Sequence, residues 1–288
     1  MEMDVNAAVR FVATHGRVLD RRRLDVLLGR GEPEPVLAAL DAYRNTDGGY
    51  GWGLEPDQRS ATSQPVGAMH ALETLADAGD GRSPRPIEVC DWLAAHSRAD
   101  GGIPFGLPHD DTAGNAKHWV DADPAASSLQ MTAQLAAQAH RIARRRADVA
   151  GHPWLAAATA YCIDQIERLG ADPHAYVVMF ALHFADTAPP AHHLVERLLR
   201  YVVQDGPTPV TGGAGGEALH LLDFAPYADG PVRRALPAGA LAKDRERLAA
   251  AQRDDGGWTV DYPVYSPAAA LEWRAYATVQ ATSVLRGR

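Results

Sequence analysis

The chain has 288 residues and only two cysteines, Cys90 and Cys162, both in helical surroundings. Two thiols cannot build a cysteine-rich zinc site, and reduced core positions are the expectation for both. A metal site of another kind is not expected either. His109-Asp110-Asp111 and His118-Trp119 lie close together in sequence, but no His-x-x-x-His spacing supports them. No cofactor is expected. Gly212-Gly213-Ala214-Gly215-Gly216 lacks the lysine and the strand–turn–helix setting of a phosphate loop and reads as a flexible connection. An excess of positive charge is also missing. The formal charge is -8, which gives no electrostatic case for a nucleic-acid partner. Arg21-Arg22-Arg23 and Arg144-Arg145-Arg146 read as solvated helix faces. No apolar run reaches the length of a membrane span, and the N-terminus has no basic-then-apolar leader pattern, so a cytoplasmic location is expected.

What is present is a repeat. Asp-Gly-Gly runs into an aromatic or apolar residue three times, at Asp47-Gly48-Gly49-Tyr50, Asp100-Gly101-Gly102-Ile103 and Asp255-Gly256-Gly257-Trp258. Each copy is followed by an apolar segment opening at proline: Pro65, Pro124 and Pro267. A Gly-Gly after a helix supplies the left-handed cap, and proline suits a first helical turn because its missing N–H has no intrahelical partner there. About twelve helical segments follow from apolar periodicity and stop signals. They lie near 4–14, 17–29, 33–44, 65–79, 84–97, 124–143, 151–169, 174–186, 190–204, 216–224, 238–252 and 267–286. Segments carrying charge at helical spacing alternate with segments that are apolar or small nearly all round, and the latter must be buried on every side. The expectation is an all-α fold, a single (α/α)6 toroid of inner and outer helices spanning residues 1–288. Arg17-Val18-Leu19-Asp20-Arg21-Arg22-Arg23 looks too charged for an inner helix, so the hairpin up to residue 30 is expected at the periphery.

The long loops, 50–64, 103–123, 205–215 and 258–266, all lead into inner helices, and long loops gathered at one end mark a working face. Loop 50–64 carries Trp52, Glu55, Asp57 and Arg59 on a glycine-rich stretch, as a polar wall with an aromatic lid or as an ordered loop with an acid paired to Arg59. Loop 103–123 carries Phe105, His118 and Trp119, and the third unit adds Trp258, Tyr262, Tyr265, Glu272 and Trp273. These aromatics are either core or the lining of a cavity. Charges such as Glu272 and Arg274 on a buried helix require partners. His70, His183 and His220 fall on inner helices, as satisfied core histidines or together as a polar lining.

Gln252-Arg253-Asp254-Asp255-Gly256-Gly257-Trp258 resembles the Gln…Gly-x-Trp repeat of squalene–hopene-type cyclases, and Asn45–Tyr50 and Ser97–Ile103 resemble degenerate copies. In spacing the likeness to the terpenoid cyclase and protein prenyltransferase superfamily spans roughly residues 30 to 286. It implies a toroid that handles a small apolar, isoprenoid-like ligand. Asp121-Ala122-Asp123-Pro124 is similar to the Asp-x-Asp-Asp motif whose middle acid protonates an alkene or epoxide in class II cyclases. That resemblance assigns catalysis to Asp123 and modulation to Asp121, and Glu55 or Asp57 stands as an alternative acid. Asp before Pro is also a helix N-cap, and the two roles are compatible.

The chain departs from the pattern at Pro124, which replaces the last acid, and in offering one toroid rather than two. The zinc ligands of the prenyltransferases and the aspartate-rich magnesium motif of class I synthases are missing. Two other readings stand beside cyclisation. One is a non-catalytic toroid that binds an apolar ligand or a protein partner. The other is a carbohydrate-active α/α barrel with two carboxylates about 5–9.5 Å apart. In the cyclase reading the mouth must be closed against water, by loops 50–64 and 103–123 or by a second copy of the chain.

Overall fold

The structure is a computed structural model and describes residues 2–79 and 82–287. It is an all-α toroid. In chain order the helices are α1 (Val5–His15), α2 (Val18–Leu27), α3 (Pro33–Leu40), α4 (Pro65–Ala78), α5 (Arg85–His96), α6 (Lys117–Val120), α7 (Leu129–Ala143) and α8 (Ala147–Ala150). There follow α9 (Pro153–Glu167), α10 (Ala175–Thr187), α11 (Val195–Leu198), α12 (Leu221–Phe224), α13 (Pro231–Ala235), α14 (Ala238–Ala250) and α15 (Pro267–Arg286). Two short strands, β1 (Thr208–Pro209) and β2 (Ala218–Leu219), pair antiparallel.

The packing order shows how the ring closes. Inner helices follow one another as α15, α2, α4, α7, α10 and α12, and α14 bridges α12 back to α15. The outer helices lie behind them: α1 against α15 and α2, α3 against α2 and α4, and α9 against α5 and α7. α4 is buried on nearly every face, as its lack of an exposed polar stripe requires. No described helix is long and apolar enough to cross a membrane.

The three Asp-Gly-Gly turns share one geometry. Gly48, Gly101 and Gly256 take φ of 89°, 89° and 94°, a region that side chains rarely enter. The aspartate of each copy accepts from the N–H two residues on, at 2.9, 3.0 and 3.1 Å. It also holds the start of the returning segment or helix: Ser63 on Asp47, Ser127 on Asp100 and Arg274 on Asp255. In the third copy the Gln252 side chain bonds both the N–H and the carbonyl of Asp4, and Trp258 Nε1 donates to the Leu248 carbonyl. That copy therefore ties the C-terminal end of the outer helix α14 to the start of α1.

Several expectations need correction. The first hairpin is not peripheral, because α2 lies between α4 and α15 with Asp20 and Arg23 buried. Its charges are neutralised in place: Arg17 pairs with Asp20 at 2.9 Å, and Arg23 reaches Glu73 at 2.9 Å and Asp77 at 2.7 Å. The helix expected from Pro124 begins at Leu129 and is capped by Ser128. Residues 124–126 form a turn in which the Ala126 N–H donates to the Asp123 carbonyl, and beyond it Ser127 bridges to Pro104 and Ser128 N–H donates to the Ile103 carbonyl, which delays the helix to residue 129. The helix expected over 216–224 is reduced to the four residues of α12, since the chain before it forms the β1–β2 hairpin. The segment 190–204 is a broken run in which α11 is flanked by 3-10 turns.

Candidate functional site

The mouth of the ring is organised by the loop that precedes α4. Gly51 N–H donates to the Tyr43 carbonyl and Trp52 N–H to the Ser60 carbonyl, closing the loop on itself. A Cβ at Gly51 would collide with the carbonyls of Ala61 and Thr62, so this glycine serves close packing rather than movement. Arg17 donates to the Leu54 carbonyl at 2.9 Å, and Ala116 N–H donates to the Asp57 carbonyl at 2.8 Å. Arg59 grips Glu272 of α15 with two hydrogen bonds, at 2.7 and 3.2 Å. That ion pair answers what Glu272 does on its helix.

This clamp turns two acids inward. Glu55 and Asp57 are each 4% exposed. Asp57 Oδ2 accepts from Trp273 Nε1 at 2.6 Å, and Oδ1 from the Tyr265 N–H at 3.4 Å. Burial raises its pKa, Glu55 raises it further, and the Trp273 and Tyr265 donors only partly offset this. Glu55 Oε2 lies 2.8 Å from His70 Nε2, and His70 Nδ1 lies 3.8 Å from Glu73. Burial disfavours the imidazolium, but the hydrogen bonds and charges of the two glutamates outweigh it and raise the His70 pKa. Glu73 also accepts from Tyr276 at 2.9 Å and Gln280 at 2.8 Å. The column continues from Arg23 through Asp77 to Arg141 at 2.6 Å. Arg23, Glu73, Asp77 and Arg141 each have a partner of opposite sign, the condition for burying charge, whereas Asp57 meets only neutral donors.

Around this column the inner helices and the loops beside them bring aromatic side chains into contact. Trp273 stands edge-on to Tyr262, Tyr276 and His70, with ring centroids 5.1, 5.6 and 6.4 Å apart. On α10, Tyr176, Phe180 and His183 form a ladder that reaches Tyr227, at 6.5, 5.6 and 5.9 Å. Gln138 of α7 donates to the Tyr227 hydroxyl at 3.3 Å, and Arg141 lies over the Tyr227 ring at 4.9 Å. Burial lowers the His183 pKa to about 4, so this histidine is a neutral wall whose Nε2 meets the Asp223 carbonyl. The inner ring thus gathers aromatic faces around one polar column.

The remaining expected residues fall elsewhere. Asp121 and Asp123 are exposed: Asp121 pairs with Lys117, and Asp123 accepts from the Ala125 N–H at 2.8 Å in its own turn. Trp119 is buried and stacks on Phe105 at 4.8 Å, which makes it core rather than lid. His118 touches Trp119 and Tyr265 at the rim, and burial lowers its pKa. Trp52 is 56% exposed at φ 59°, an unusual angle for a side-chain-bearing residue, and its Nε1 donates to Asn45. Trp258 is core of the third turn, and His220 caps α12 beside Asp244. Tyr276 was expected only as an inner-helix aromatic, core or cavity wall, and Glu73, Tyr176, Glu217 and Tyr227 were not among the expected site residues. A charge inside the otherwise apolar helix 65–79 was the available signal for Glu73. Among the described residues, no group of three or more His, Cys, Asp or Glu side chains could hold a metal ion.

No known family profile and no curated protein matches the chain. Solved structures do. A protein from Actinoplanes superposes with a TM-score of 0.57 and 16% identity over 98% of both chains. The type II terpene cyclase MstE from Scytonema, in complex with its product merosterolic acid A, gives a TM-score of 0.57 and 14% identity over 98% of this chain and 95% of that one. The same cyclase with its substrate geranylgeranyl dihydroxybenzoate gives 0.57 and 12% over 98% and 94%. At these identities the likeness is one of fold.

Proposed function

We propose that this protein catalyses a proton-initiated isomerisation or cyclisation of an apolar, isoprenoid-derived substrate, with Asp57 as the acid. The observation that carries this reading is a buried carboxyl held by Trp273 Nε1 beside the clustered rings of Tyr262 and Tyr276. Protonating an alkene requires an acid whose proton is kept in a dry site. Burial and the neighbouring Glu55 favour the protonated form of Asp57. The N–H groups of Trp273 and Tyr265 stabilise the carboxylate left when the proton goes. The faces of Trp273, Tyr276, Tyr262 and Phe180 can each stabilise a carbocation by about 0.5–2 kcal/mol. The role that resemblance assigned to Asp123 passes to Asp57 in this reading, because Asp121 and Asp123 face water. MstE, whose complexes hold an isoprenoid-bearing substrate and its product, has the same fold and supports the substrate class.

The test is incubation with a panel of prenylated aromatics, isoprenoid alcohols, epoxides and diphosphates, read by mass spectrometry. Wild-type protein is expected to convert at least one to an isomer of the same mass, carrying one deuterium when the reaction runs in heavy water. Asp57→Asn is expected to abolish conversion. Retention of an unconverted ligand by folded wild-type protein would instead make the toroid a binding module.

A further inference from the structure

A proton-initiated reaction that makes no bond to water must also lose a proton, and another buried carboxylate, Glu217, meets the inner ring at α10 rather than beside Asp57. Glu217 is 8% exposed, although it follows a glycine-rich turn at the surface. The turn is built around its carboxyl: Ala214 N–H donates to Oε2 at 2.8 Å, and a Cβ on Gly213 would lie 2.5 Å from that oxygen. The other oxygen, Oε1, takes the Tyr176 hydroxyl at 2.6 Å. Tyr176 is the first rung of the aromatic ladder on α10, two places from α4 and two from α15 around the inner ring. Its only proton is committed to Glu217, which leaves the lone pairs of its oxygen for the lumen. Tyr262 stands edge-on to Trp273, the donor to Asp57, and burial first, then the charges around it, Glu55 and Tyr176 among them, push its hydroxyl pKa up.

We propose that Tyr176 and Glu217 are the base that ends the reaction, an inference that rests on Asp57 being the acid. The alkene π electrons take the Asp57 proton, forming a C–H bond and leaving a carbocation and an Asp57 carboxylate. A C–H bond next to the cationic carbon then breaks, and its electron pair forms the new alkene. The released proton goes to Tyr176 Oη as the tyrosine's own proton moves to Glu217 Oε1. One proton enters at Asp57 and one leaves at Glu217, both exchange with solvent between turnovers, and no oxidant or co-reactant is needed.

Tyr176→Phe removes one oxygen and leaves the ring in place. On the substrate found active with wild type, it should keep substrate consumption within about threefold, because protonation by Asp57 is untouched. The ratio of native alkene to water-captured alcohol and other alkene isomers should fall by about tenfold or more. Glu217→Gln should shift the ratio the same way, since an amide holds the phenol but cannot take its proton. Should Glu217→Gln fail to fold, a fluorotyrosine at position 176 alone replaces it and should shift the ratio by its altered basicity. Folded variants with the wild-type product ratio overturn the base while leaving Asp57 in place. Loss of all consumption in folded Tyr176→Phe also overturns it, because the tyrosine would then act before termination. A wild-type protein inert toward the whole panel removes the acid and the base together.

Discussion

Two loops of this protein begin alike and end differently. Both follow an Asp-Gly-Gly turn, both carry two acids one residue apart, and both lead to an inner helix. In the first, Glu55 and Asp57 are buried among the inner helices, whereas in the second Asp121 and Asp123 stand in water. The difference lies in the donors available. Trp273 Nε1, the Tyr265 N–H and His70 await the first pair in the interior. The second pair finds Lys117, itself 82% exposed, and a backbone N–H of its own turn. A carboxylate goes inside only where its hydrogen bonds are already provided, because an unpaired one would be driven back to solvent. The second loop sends Trp119 inward instead, against Phe105, and its acids ride on the outer side.

The sharpest way to break this comparison is to neutralise one acid from each loop. Asp57→Asn should lower turnover by about 10²–10⁴-fold, the range of a general acid, whereas Asp123→Asn should stay within about twofold of wild type. Equal losses, or a loss only in the second, would reverse the assignment. The ion pairs should differ similarly. Arg23→Met removes the buried cation shared by Glu73 and Asp77 and should cost about 3–5 kcal/mol in a denaturant titration. Lys117→Met breaks an exposed pair and should cost about 0–1 kcal/mol. Trp119→Ala should cost about 3–5 kcal/mol as a buried ring is lost. Trp52→Ala should change stability by no more than about 1 kcal/mol; a large loss there would show that its contact with Asn45 holds the loop together.

The smallest effect concerns two histidines, one behind each loop. His70 is raised by Glu55 and Glu73 against the opposing effect of burial, and His118 is lowered by burial. His70 therefore contributes stability that is full below its unfolded pKa and is lost as pH rises through its folded pKa. His118 contributes stability present above its unfolded pKa and lost as pH falls through its folded one. Ring-proton NMR titration should place the two on opposite sides of about 6.5, the ordinary histidine value. A His118 that titrates above His70 would mean that the glutamates are not charged where the geometry puts them.

The turns were legible because their requirements are local. A left-handed glycine and an aspartate two residues before the N–H it accepts are encoded within a few positions and recur three times, and the proline start holds in the first and third copies. The apolar helices were legible for the same reason, with buried α4 as the clearest case. The place of α2 was not legible. Its charges look like a solvated face until Glu73 and Asp77, about fifty residues away along the chain, are seen to neutralise Arg23. The mistaken start at Pro124 has a related origin, since Ser127 and Ser128 are pinned by Pro104 and Ile103 at the far end of the same loop.

The sequence by itself determined that this chain is a ring of helices with its long loops gathered where the inner helices begin, because helix periodicity and caps act over a turn or two. It also narrowed the candidate acid of the proposed reaction to two pairs. Which pair is dry was decided by the tertiary structure alone. Burial of a carboxyl depends on donors such as Trp273, which stands 216 residues from Asp57, and no local pattern carries that information.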